Sequence, residues 1–234
     1  MKAYVIYVKG HKLSEKYADN CFNSVKDSGF EPEMFEGVTP ATLDQWTHMQ
    51  YPDLPNGRIT HFKRESPENK YKIKKSCFTN HVRLWNKCLE LNEPIAVLEQ
   101  DAHCVNNWNP TLKWEDVLIL NLNSAFKQKQ FNHIKLKPSY IIGKGRYDDP
   151  SVLEGLRYYK PSVFKGAYMM PGTAAYAVTP QGAKKLLNAV KTLGWEQSDF
   201  FINSHVVTME YILPELFSFR FENLNMSHGF NISE

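Results

Sequence analysis

The sequence predicts an α/β domain built on a mostly parallel, Rossmann-type sheet with helices on its faces. Three observations carry that reading. Short β-branched apolar runs recur at residues 3–8, 94–98 and 117–120, the pattern of strands buried on both faces. Helical spacing of apolar residues appears between and after them. Strand and helix alternate along the chain, the order that covers a parallel sheet with helices. A length of 234 residues suits a single domain spanning 1–234 with a substantial core.

The first strand, AYVIYV, leads into a helix with Ser14 as its cap and with Ala18, Cys21, Phe22 and Val25 on one face, ending at Gly29. Residues 32–38 read as a second strand. Residues 40–71 are polar and rich in Pro, Asn and Gly, and show no sustained period, so they read as a long excursion with local helix at best. Helical spacing returns at Cys77, His81, Leu84, Trp85, Cys88 and Leu91, with Ser76 as the expected cap. The strand PIAVL follows and runs straight into Glu99, Gln100, Asp101, Ala102 and His103. The stretch 121–165 is basic and aromatic and reads as loops and edge strands lining a cleft. Residues 166–178 read as a strand. Pro180 then opens a helix with Ala183, Leu186, Leu187 and Val190 on one face, and Gly194 stops it.

Composition narrows the classes. Apolar residues make up 42% and charged residues 23%, which excludes a disordered chain and a coiled coil. No run of about 18 apolar residues occurs, and the apolar start is too short for a secretory signal, so a cytoplasmic protein without a transmembrane segment is expected. The four cysteines form no C-x-x-C pair and read as buried reduced thiols. Net charge is only +3, but residues 58–75 hold seven Lys/Arg against two Glu, and residues 126–165 hold nine against three acids. That asymmetry points to a basic face for an anionic partner or to ordinary solvated loops.

Chemistry concentrates just beyond PIAVL, where open α/β sheets bind their ligands. Glu99, Asp101 and His103 are spaced by two, so in an extended segment their side chains share one face. Two carboxylates and an imidazole can bind a Mg- or Mn-type cation, which would bridge nucleotide phosphates. The same carboxylates could instead cap loops or pair with lysines. Phosphate loops, dinucleotide fingerprints, H-E-x-x-H and G-x-S-x-G are absent.

These residues resemble glycosyltransferase family 25, the lipooligosaccharide galactosyltransferase-like enzymes. AYVIYV, a helix and then FEGVTP resemble the family's opening. Lys75, Ser76, Cys77 and His81 with Trp85 resemble its G-C-x-x-S-H-x-x-x-W segment, and PIAVL with Glu99, Gln100 and Asp101 resembles its strand ending in E-D-D. Gly172, Thr173 and Tyr176, followed by Ala183 and Leu186, are similar to its G-T-x-x-Y strand and A-x-x-L helix. The likeness is collinear from about residue 3 to 215. It departs at Gln100, which replaces the middle acid, and at Lys16 and Tyr17, where the family carries an Arg.

The resemblance implies a GT-A-like fold, a nucleotide-sugar donor such as a UDP-sugar, a divalent Mn or Mg ion and inversion at the sugar carbon. It implies metal ligation by Asp101 and Glu99, with His103 or His228 as a third ligand. It implies donor contacts at Val8, Lys75, Gly172, Thr173 and Tyr176. Asp199 is the expected general base, unless it is only a helix-end carboxylate, and Glu99 either ligates or orients a water. The acceptor is a phosphorylated bacterial surface glycan such as lipooligosaccharide, or a hydroxymethylated DNA base in a phage-type enzyme. The competing class is a non-catalytic nucleic-acid-binding α/β module. Oligomeric state, sugar and linkage stay open.

Overall fold

A computed structural model describes residues 1–65, 68–122, 143–146, 157–158, 161–170 and 172–219. Strands β1 (Lys2–Tyr7), β2 (Glu31–Glu36), β3 (Ile95–Glu99), β5 (Val117–Ile119), β6 (Gly143–Arg146), β7 (Ala175–Val178) and β8 (Met209–Leu213) form one seven-stranded sheet in the order β2-β1-β3-β7-β5-β8-β6. Five of the seven run in one direction; β7 and β6 run against them. A separate two-stranded sheet pairs β4 (Ala102–Cys104) with β9 (Phe217–Phe219).

Alternation along the central strands divides the core into two layers. Tyr4, Ile95, Val97 and Tyr176 face one layer, and Ala3, Val5, Ala96, Leu98 and Ala175 face the other. The first layer is covered by α3 (Glu68–Leu91) through Phe78, Val82 and Trp85, and by α4 (Pro180–Leu193) through Ala183, Leu186 and Val190. The second is covered by α1 (Lys12–Val25) through Ala18, Cys21 and Val25. Each such fully buried Val or Leu contributes about 1.5–3 kcal/mol relative to exposure.

α4 starts and stops at the expected residues. Thr179 caps it by accepting from the Gly182 amide at 3.0 Å, Pro180 opens it, and Gly194 ends it at φ +95°. Four other expectations are corrected. α1 begins before Ser14: His11 is the cap, its Nδ1 accepting from the Ser14 amide at 3.1 Å. α3 begins at Glu68, so Ser76 is an interior residue whose hydroxyl bonds back to the Lys72 carbonyl at 2.8 Å. The helix thus begins about two turns ahead of Ser76, with Tyr71 in its first turns partly buried against the core. The excursion is also more ordered than its composition indicates, with a 3-10 segment at Leu43–Met49 and a helix α2 at Arg58–Glu65. The strand expected over 166–178 shrinks to Ala175–Val178, since Gly166 and Gly172 take φ +83° and +87°.

All four cysteines are free. Cys21 and Cys88 are buried as expected, whereas Cys104 is half-buried and Cys77 is exposed. No described helix is long and apolar enough to cross a membrane. Most of the basic, aromatic stretch 121–165 lies outside the described residues, although β6 within it is an edge strand as expected.

Candidate functional site

The site lies at the carboxyl ends of β1 and β3. The parallel register sets Ile6 opposite Glu99, which brings the chain after Tyr7 alongside the turn at residues 100–101. Val8 is fixed there by its amide, which donates to Ser14 Oγ at 2.8 Å. Ser14 Oγ in turn donates to Gln100 Oε1. Gln100 therefore turns toward α1, and Glu99 turns to the opposite layer toward α3, as strand alternation requires. Loss of the family's middle acid falls on the side facing away from Glu99.

Glu99 is held by three contacts, two from the segment at residues 173–174 and one from α3. Thr173 Oγ1 donates to its Oε1, His81 Nε2 of α3 stands 3.5 Å from the same oxygen, and the Glu99 amide donates to the Ala174 carbonyl at 2.8 Å. Burial raises its carboxyl, but His81, Thr173 and Lys74 outweigh burial and hold it below the usual range. Asp101 behaves oppositely. Burial, and then the charge of Glu99, pushes its carboxyl up to about 7. Its Oδ1 is buried without a hydrogen-bond partner among the described residues. An orphaned carboxylate oxygen next to an ionised carboxylate is a costly arrangement, and a hard divalent cation relieves both faults together. The chemistry of this pair fits the metal that the family resemblance implies.

His103 does not join them. Strand alternation does not carry through to it, because β3 ends at Glu99, residues 100–101 turn, and His103 restarts in β4 opposite Ser218. Among the described residues no group of three or more His, Cys, Asp and Glu is placed to hold a metal. His228 lies outside the described residues.

Asp199 lies in the first turn of the short helix α5 (Ser198–Phe201). Burial raises its carboxyl, Lys74 and Arg58 pull it down, and Glu99 adds to the rise, so it sits within electrostatic reach of Glu99. A carboxylate raised toward neutrality can accept a hydroxyl proton.

Two residues expected as donor contacts have partners within the fold. The Lys75 ammonium lies 5.9 Å from both the Tyr71 and Trp195 rings, and burial lowers it; it faces that aromatic cluster. Lys74 is the lysine that acts on Glu99 and Asp199. Lys74 stands seven residues before His81, two turns along the same face of α3. Tyr176 is 0% exposed and spends its hydroxyl on His81 Nδ1 at 2.9 Å and Trp85 Nε1 at 3.0 Å, so it is a buried support beneath Glu99. Gly172 and Thr173 do border the site, but the Thr173 hydroxyl is taken by Glu99.

The profile of glycosyltransferase family 25 (LPS biosynthesis protein) matches residues 1–202. The chain belongs to this family. No curated protein sequence matches it. Among solved structures, mouse xyloside xylosyltransferase 1 in its apo form is similar at 11% identity and a TM-score of 0.36, over 86% of this chain and 80% of that one. Membership supports glycosyl transfer as the activity and counts against a purely nucleic-acid-binding module.

Proposed function

We propose that this family 25 glycosyltransferase moves a sugar from a nucleotide-sugar donor to a hydroxyl of a phosphorylated bacterial surface glycan, with inversion and with a divalent cation. The orphaned Oδ1 of Asp101 beside Glu99 is the observation that supports it most. Asp101 and Glu99 would hold the ion on a GT-A-like sheet. Bound there, a Mn or Mg ion supplies positive charge against the diphosphate leaving group.

The rest is the work of the chain. Val8 and Gly172 border the place where the donor would lie. Lys74 adds positive charge close to Glu99 and Asp199. Asp199 takes the acceptor hydroxyl's proton as that oxygen attacks the sugar carbon from the face opposite the departing diphosphate.

Thermal shift with UDP-, GDP- and CMP-sugars, with and without Mn, on wild type and Asp101→Ala tests the reading. The expected result is a Mn-dependent rise with one donor class that Asp101→Ala abolishes, accompanied by slow Mn-dependent donor hydrolysis. Absence of any donor-dependent shift in the folded wild type, or an unchanged shift in the variant, would overturn it.

A further inference from the structure

The geometry points to His81 as a positioning residue, locked by a buried relay from Trp85 through Tyr176 into the tautomer that presents an N–H to Glu99. The inference rests on the reading of Glu99 as part of the sugar-transfer site.

The relay has a definite direction because its first member can only donate. Trp85 Nε1–H lies 3.0 Å from the Tyr176 hydroxyl, so the phenolic oxygen accepts there. The phenolic proton is then left for His81 Nδ1 at 2.9 Å. Nδ1 is thereby an acceptor, and the ring proton must sit on Nε2, the nitrogen 3.5 Å from Glu99 Oε1. The reverse tautomer would leave the phenolic proton without an acceptor in the core and would aim a lone pair at a carboxylate.

Nothing in the surroundings lets water supply the missing partners. Trp85 and Tyr176 are 0% exposed and His81 is 1% exposed. The imidazole stacks on the Tyr176 ring at a centroid distance of 5.8 Å and an interplanar angle of 25°, which fixes its plane as well as its proton. Thr173 Oγ1 and His81 Nε2 both address Oε1 of Glu99, which leaves Oε2 as the oxygen for a cation or for the donor. The relay therefore sets the orientation of Glu99 from behind and touches no substrate.

Long-range 1H–15N spectra of the histidine rings in the metal-free protein test this, with His81→Asn assigning the resonance. The expected wild-type spectrum shows His81 protonated on Nε2 alone, and Tyr176→Phe converts it to a tautomer mixture. An Nδ1-protonated ring in the wild type, or an unchanged His81 signal in Tyr176→Phe, would overturn the inference. This readout needs no turnover, so it stands apart from the transferase reading.

Donor hydrolysis supplies the second readout. His81→Phe is expected to lower kcat by about 10- to 100-fold with a smaller change in KM, because it misorients Glu99 without removing a donor contact. His81→Gln, which can return an N–H near Nε2, is expected to restore most of the loss. A glutamine variant as impaired as the phenylalanine variant, with both folded, would contradict positioning through the N–H.

Discussion

The carboxyl of Asp101 is pushed up to about 7 by burial and by the charge of Glu99, two residues earlier at the end of β3. A carboxyl whose folded pKa exceeds its unfolded value weakens the fold in its ionised form. The penalty is absent near pH 4, grows as pH rises from about 4 to about 7, and is complete above that. In metal-free buffer at pH 8, Asp101→Asn is therefore expected to be more stable than wild type by on the order of 1 kcal/mol, about 2–4 °C in Tm. The advantage fades toward pH 4, and Mn raises only the wild type. Melting curves from pH 4 to 8 with and without EDTA check this; a Tm for the variant at or below wild type at pH 8 would refute the pairing.

A second buried carboxyl, Glu196, is also raised by burial, but its oxygens are satisfied. Glu196 Oε2 accepts from the Ile59 amide in the first turn of α2 and from the Tyr158 hydroxyl, each at 3.1 Å, and Oε1 accepts from the Gln197 amide at 2.8 Å. The anion thus sits at a helix N-terminus and satisfies three donors in the core. Glu196→Ala strands all three and is expected to cost about 3 kcal/mol, or roughly 6–12 °C. Tyr158→Phe removes one and is expected to cost about 1 kcal/mol. Urea titration of the two variants measures both; equal losses would show that the amide contacts are not what matters.

The contrast between these carboxylates shows what sequence could and could not reveal. PIAVL was legible as a buried strand because apolar runs need only local information, and its end located Glu99 and Asp101 at the ligand-binding edge. The partners were not legible. Gln100 meets Ser14 across 86 residues, and Glu99 meets Thr173 across 74, through a sheet order that no local period encodes. His103 leaves the face of Glu99 because a two-residue turn at 100–101 resets strand alternation, with no Gly or Pro in the sequence to mark it. Tyr176 looked like a ligand contact in a motif, yet a tyrosine in the middle of a central strand has its hydroxyl inside the core.

Gly182 offers a test of packing against propensity. It lies in the first turn of α4, where alanine ordinarily favours helix by about 1 kcal/mol. A Cβ there would stand 2.6 Å from the Asp116 carbonyl oxygen, a backbone atom that cannot swing aside. That carbonyl also accepts from the Thr179 amide at 2.9 Å, so its displacement breaks the link between the cap of α4 and the chain entering β5. The clash outweighs the propensity, and Gly182→Ala is expected to lose about 1–3 kcal/mol. A Tm equal to or above wild type would mean that the helix can slide away from Asp116.

Lys74 and Lys75 are neighbours with opposite roles, and the pair separates site electrostatics from packing. Lys74 lowers both Glu99 and Asp199, so removing it raises both carboxyls and withdraws positive charge from the side where an anionic diphosphate would lie. Lys75 is half-buried over Tyr71 and Trp195, and its removal uncovers aromatic surface remote from the acids. Lys74→Ala is therefore expected to weaken Mn-dependent donor stabilisation by about tenfold in apparent affinity while changing Tm without ligand by less than about 2 °C. Lys75→Ala should do the reverse, lowering Tm by on the order of 1 kcal/mol in stability with donor affinity unchanged. Thermal shift of each variant across a Mn and donor titration reads both quantities at once. Donor affinity lost in Lys75→Ala and kept in Lys74→Ala would place the phosphate-facing charge on the other side of α3.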